Sequence, residues 1–153
     1  MTKLNRRRVL VTGAGGFIGH HLVKRLKSDG HWVRGVDLKE PEYEPTLADD
    51  FILKDLREFN NCAEATEDID DVYNLAADMG GIGYITAFHA HLTRNNILIN
   101  SHMLEAARLA GCNRYLYTSS ACVYPMYLQD DVDVTPLSED QACLLYTSDA
   151  ADE

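Results

Sequence analysis

No stretch of the 153-residue chain reaches the ~18 consecutive apolar residues that a membrane-spanning helix needs. Cysteine is scarce: Cys62, Cys112, Cys122 and Cys143 are the four. None forms C-x-x-C and no Cys/His group has zinc spacing, which excludes a disulfide scaffold and a zinc ribbon. Together with the lack of a secretory leader, this sets the expectation of a reducing, cytoplasmic compartment. Arg6-Arg7-Arg8 before Val9-Leu10-Val11 imitates the start of such a leader. Gly13-Ala14-Gly15-Gly16 breaks the apolar run at once, so the arginines read as a basic lead-in to a first strand. Positive charge is the minority: 14 Lys and Arg stand against 24 Asp and Glu, a net charge of −10. Such a surface repels phosphate backbones and argues against a nucleic-acid partner. There is no internal repeat and no low-complexity segment. What is present is ordinary globular composition, 46% hydrophobic and 25% charged, at about one domain's length.

Short apolar runs alternate with helical spacing. Arg8–Thr12, Trp32–Asp37, Phe51–Leu53, Asp71–Ala76 and Arg114–Ser119 read as strands. Phe17 to Lys27 reads as a helix, with Ile18, Leu22 and Leu26 four apart and Val23 beside them, ended by Gly30. Arg57–Thr66 is a weaker helix, and Thr86–Ala110 a long one ended by Gly111. Lys39–Asp50, with Pro41 and Pro45, and the glycine-rich Asp78–Gly83 read as loops. Alternation of this kind implies crossover connections and an α/β fold: a doubly wound parallel sheet of expected order 3-2-1-4-5 with helices on both faces. Near-continuous apolar strands such as Val9-Leu10-Val11 fit a sheet covered on both sides.

The turn between the first strand and first helix is Thr12-Gly13-Ala14-Gly15-Gly16-Phe17-Ile18-Gly19. Gly13 permits a tight turn, Gly16 lets backbone approach a pyrophosphate, and Gly19 lets the helix pack closely. The amides and positive dipole of the helix start, from Phe17 and Ile18 onward, suit the phosphates. Asp37 lies 18 residues beyond Gly19, at the end of the second strand. Its carboxylate can accept from both ribose hydroxyls and would repel a 2′-phosphate, so NAD is expected over NADP; Lys39 nearby blurs the preference. Asp55, before Leu56, suits either the adenine amine or an N-cap for the helix near Arg57. Asn74-Leu75-Ala76-Ala77 either passes beneath the cofactor or is ordinary packing. Ser120 and Cys122 alternate on an extended stretch after the fifth strand, so both can face one side. They suit hydrogen bonding and proton transfer, although a buried packing thiol is the plainer reading of Cys122 from the residues alone. Cys62 and Cys112 read as packing. His20 and His21 read as solvated helix residues. His89 and His91, two apart, share no metal-binding face. Asn96 reads as a bridge between backbone groups of neighbouring strands, and Glu64–Asp71 as a solvated acidic face.

On Thr12–Gly19, Asn74–Ile85, Asn95-Asn96, Met103–Ala107 and Ser119–Pro125, the chain resembles the extended short-chain dehydrogenase/reductases, the NAD-dependent epimerase/dehydratases. Within them it is similar to the GDP-mannose 3,5-epimerase branch, with Met79-Gly80-Gly81 and Pro125 the most discriminating positions. The resemblance implies a Rossmann-type domain over residues 1–142, tightly held NAD, a sugar-nucleotide substrate such as GDP-mannose, and a homodimer built partly on the long helix. It implies transient oxidation at C4, proton exchange at C3 and C5, and return of the hydride. Cys122 would be one member of the acid/base pair and Ser120 a partner of the C4 oxygen. Met79, Gly80 and Gly81 would line the sugar pocket; two glycines in a tight turn are the simpler alternative. Other sugar-nucleotide 4-epimerases, dehydratases and GDP-fucose synthase are the enzymatic competitors, the last disfavoured by Asp37. A non-catalytic NAD-sensing module is the competitor of another class. None of the eight tyrosines is followed four residues on by lysine, as the family's catalytic pair requires. Residues 143–153 resemble a translated sequencing adapter. The expectation is therefore an incomplete, inactive sheet with a non-native tail.

Overall fold

The computed structural model describes residues 6–42, 44–120, 123–124 and 136–142. They fall into two units, one up to Tyr117 and one from Thr118 on. In the first unit the order is β1 (Arg8–Thr12), α1 (Phe17–Ser28), β2 (Trp32–Asp37), β3 (Asp50–Leu53), α2 (Phe59–Thr66), β4 (Asp71–Asn74), α3 (Ile82–Leu109) and β5 (Arg114–Tyr117). The five strands form one sheet in the order β3-β2-β1-β4-β5, every pairing parallel. This is the expected Rossmann-type winding. In the second unit the described residues include a 3-10 turn, Glu139–Gln141. Among the described residues no helix is long and apolar enough to cross a membrane.

Alternation along β1 explains its unbroken apolar run. Val9 and Val11 pack with Val33 and with Val23 and Leu26 of α1. Leu10 faces the other way, into Val36, Val72, Met103 and Ala106. Burying each such side chain favours the fold by about 1.5–3 kcal/mol. The basic lead-in is spent on the sheet's lower edge. Arg7 Nη1 lies 2.8 Å from the buried Asp71 carboxylate, and the Arg8 guanidinium lies 3.7 Å from the Trp32 ring centroid.

α1 is rotated so that Gly19, His20, Val23 and Leu26 face inward, leaving Ile18 exposed. The cause is Gly19, which must lie against the Gly13 carbonyl. His20 is therefore buried rather than solvated, with Nε2 3.1 Å from Glu44 Oε1. α3 starts at Ile82, four residues early, because the Gly81 carbonyl accepts from Tyr84 and Ile85. Gly83 is carried inside that helix, where nothing crowds it. The helix bends at Phe88, whose φ of −126° and ψ of 25° are not helical. α2 starts at Phe59, its N-cap being Glu58 and not Asp55. β4 and β5 stop at Asn74 and Tyr117, two residues short of expectation. Within the acidic run only Glu64, Glu67 and Asp68 are exposed; Asp70 accepts from the Arg8 amide at 2.8 Å. Asn96 does not bridge strands. Its amide clamps both backbone groups of Asp78, at 2.7 and 3.0 Å.

Candidate functional site

The carboxyl ends of β1, β2, β3 and β4 open into one cavity of about 610 Å³, a size usual for ligand pockets. Gly13, at φ +67°, makes the turn out of β1; a Cβ there would come within 3.0 Å of the Leu75 backbone. A Cβ on Gly19 would come within 2.1 Å of the Gly13 carbonyl oxygen. That close approach sets the helix start against the turn. Gly16 is the N-cap of α1 and offers no side-chain cap. The positive end of the α1 dipole thus meets the glycine turn without a competing side chain, as suits a phosphate.

Asp37, at the tip of β2, is oriented by backbone. Its Oδ2 accepts from the Gly15 amide at 2.9 Å and its Oδ1 from the Leu38 amide at 2.6 Å. Gly15, absent from the sequence-based site, is required here: a Cβ would fall 2.1 Å from the Lys39 carbonyl. The Lys39 ammonium pairs with Glu42, which weakens the blurring of cofactor preference expected from it.

Beyond β3, Asp55, Leu56 and Arg57 form the wall. Arg57 Nη2 reaches Asp55 Oδ2 at 2.6 Å, and the Arg57 amide reaches Oδ1 at 2.9 Å. The side-chain hydrogen bond from Arg57 holds the Asp55 carboxyl below its ordinary range. Beyond β4, Leu75, Ala76 and Ala77 continue the wall. Their backbone is pinned by the buried Thr12 hydroxyl, which accepts the Leu75 and Ala76 amides at 3.0 and 2.9 Å and donates to Asn74 Oδ1 at 2.7 Å.

Met79 lines the cavity; Gly80 lies against the Tyr84 ring and Gly81 caps α3. Phe17 and Ile18 are exposed on the first turn of α1, and neither they nor Gly19 belong to the cavity wall. The sequence reasoning missed a polar cluster at the far end. Asn95 donates to Asp78 Oδ2 at 2.7 Å and contacts His91 Nε2 at 2.9 Å; Tyr84 donates to Asp78 Oδ1 at 3.3 Å. Only the Asn95-Asn96 pair hinted at it. Ser120 lies in the second unit, exposed, its carbonyl accepting from Val123. Cys122, Pro125 and the 143–153 tail lie outside the described residues. Cys62 is buried, and desolvation pushes its thiol up to about 12, which fits packing.

A glycine turn at one strand end, an oriented carboxylate at the next and a second carboxylate at the third fit a dinucleotide laid across the sheet. The model of the NAD dependent epimerase/dehydratase family matches residues 9–146. The chain belongs to that family. It is 47% identical over 130 residues to GDP-mannose 3,5-epimerase 1 of Oryza sativa subsp. indica, covering 84% of this chain and 34% of that protein. The chain thus spans about a third of the length of the curated relatives it matches. Its fold is similar to a crystal structure of UDP-galactose 4-epimerase, with TM-score 0.72, 28% identity, and 94% and 47% of the two chains covered. It is also similar to a short-chain dehydrogenase/reductase superfamily protein from Agrobacterium tumefaciens crystallised with bound NAD. There the TM-score is 0.71 and the identity 27%, with 89% and 39% covered.

Proposed function

We propose that this chain is the NAD-binding part of a longer sugar-nucleotide epimerase that inverts C3 and C5 of GDP-mannose. The observation that carries the reading is the Asp78–Gly81 loop. It leaves β4 with Met79 on the cavity wall, and its Met79-Gly80-Gly81 is where the sequence resembles the GDP-mannose 3,5-epimerase branch. The identity with the rice enzyme supports it.

The residues divide by strand. Gly13 and Gly16, on the cavity wall, hold a diphosphate, with the start of α1 from Phe17 through Ile18 to Gly19 beside them supplying the positive end of the helix dipole. Asp37 accepts from the ribose hydroxyls, Asp55 and Leu56 flank the adenine, and Leu75, Ala76 and Ala77 pass beneath the cofactor. Bound NAD supplies a reversible hydride acceptor for the sugar C4. Met79, Gly80 and Gly81 face the hexose, and Ser120 donates to the C4 oxygen. Cys122 holds a proton for C3 or C5; an ordinary thiol, with a pKa of about 8.5, is mostly protonated at neutrality. No tyrosine of the chain has lysine four residues on, so the C4 hydroxyl lacks a base here and residues 1–153 alone do not turn over. Ile97 and Leu104, seven apart and exposed on one face of α3, support a homodimer built on that helix.

Incubating the full-length protein with GDP-mannose in deuterated water tests this. Deuterium at C3 and C5 of the hexose is the expected result. Inversion at C4 without deuterium uptake would replace it with a 4-epimerase, a reading favoured by the structural likeness to UDP-galactose 4-epimerase.

A further inference from the structure

On the NAD reading above, the strand order gives each part of the dinucleotide a place. With the diphosphate at the end of β1 and the ribose at the end of β2, the base falls at the end of β3, the next strand outward. There Asp55 and Arg57 share the cavity wall. Of the four or so acceptor positions on a carboxylate, Arg57 occupies most. Three N–H groups do so: the backbone amide and Nε meet Oδ1, both at 2.9 Å, and Nη2 meets Oδ2 at 2.6 Å, the single Nε hydrogen being shared with Oδ2 at 3.0 Å, which leaves one position on Oδ2. The Asp55 backbone is fixed as well, since its carbonyl accepts from Asn61 Nδ2 at 2.8 Å and from the Glu58 amide at 3.2 Å. The carboxylate therefore cannot rotate freely, yet a third of the Asp55 side chain remains accessible.

We infer that Arg57 is a positioning residue for base specificity: it locks Asp55 so that the remaining acceptor position meets the exocyclic amine of adenine and rejects a 6-oxo purine. This rests on the NAD reading above. The physics is a donor–acceptor match. An amine donates to the fixed oxygen, whereas a carbonyl at the same ring position sets two acceptors face to face with no hydrogen between them. A site built to pair with one polar group discriminates strongly against an analogue that cannot supply it. A carboxylate free to turn would swing away and lose the discrimination.

The test is calorimetric titration of the chain with NAD⁺ and with nicotinamide hypoxanthine dinucleotide, in which carbonyl replaces the amine. The chain should prefer NAD⁺ by about ten-fold, ~1.4 kcal/mol. Arg57→Ala should shrink the preference to about two-fold by weakening NAD⁺ alone, and Arg57→Lys, which cannot bridge both oxygens, should fall between. Asp55→Asn should abolish the preference without changing the thermal midpoint of the fold beyond that of Arg57→Ala. Equal weakening of both dinucleotides by Arg57→Ala, or an unchanged preference, overturns the inference while leaving the NAD reading intact. No heat with either dinucleotide overturns both.

Discussion

At the scale of single residues, close approach decides which glycines matter. A methyl on Gly19 would strike the Gly13 carbonyl at 2.1 Å and the Ala14 Cα at 2.8 Å, all backbone. Gly19→Ala should therefore cost about 1–3 kcal/mol of unfolding free energy in urea titrations. Gly81→Ala, in open space, should cost no more than about 1 kcal/mol. Thr12→Val takes the acceptor from the half-buried Leu75 and Ala76 amides, at no more than about 1–3 kcal/mol for each. Asp55 gives a pH dependence. Arg57 depresses its folded-state pKa, so its contribution is present above the unfolded value and is lost as pH falls through the folded one. With both partners about a third exposed, that is at most about 1 kcal/mol. Urea midpoints below about pH 4 should fall less steeply in Asp55→Asn than in the parent. Gly13, Gly16 and Asp37 were legible because motif and strand end coincide. Gly15 was not, because its necessity comes from Lys39 and Asp37, which only the folded loop brings near.

At the scale of elements, strand positions were legible because burial on both faces demands unbroken apolar runs. Helix faces were less so. The spacing in α1 placed Leu22, Val23 and Leu26 on the core side but also Ile18, which is exposed because a backbone contact at Gly19 sets the rotation at the helix start. The start of α3 was missed because glycines at 81 and 83 read as loop, while Gly81 serves as cap and Gly83 costs only about 1 kcal/mol inside an exposed helix. The Asn96 clamp ties α3 to the loop leaving β4. Removing it by Asn96→Ala should speed exchange of the Asp78 amide about ten-fold or more, as read by hydrogen exchange, with the β1 and β2 amides unchanged. Equal acceleration throughout the sheet would mean that Asn96 supports the whole fold rather than this loop.

At the scale of the whole molecule, topology does the functional work. Order 3-2-1-4-5 lines up the ends of four strands, so residues from Gly13 to Ile99 converge on one cavity although no stretch of sequence holds them together. That convergence is why Asp78, Tyr84, His91 and Asn95 do not read as one cluster in the sequence: each lies on an element whose neighbour across the cavity is set only by folding. The central question is whether this cavity takes NAD. Titration calorimetry of the chain with NAD⁺ and NADP⁺, beside Asp37→Ala, measures it directly. The account predicts heat with NAD⁺, at least about ten-fold weaker binding of NADP⁺, and an Asp37→Ala variant that loses about ten-fold for NAD⁺ and with it the discrimination. A folded chain that gives no heat with NAD⁺, or that binds the two dinucleotides alike, contradicts it.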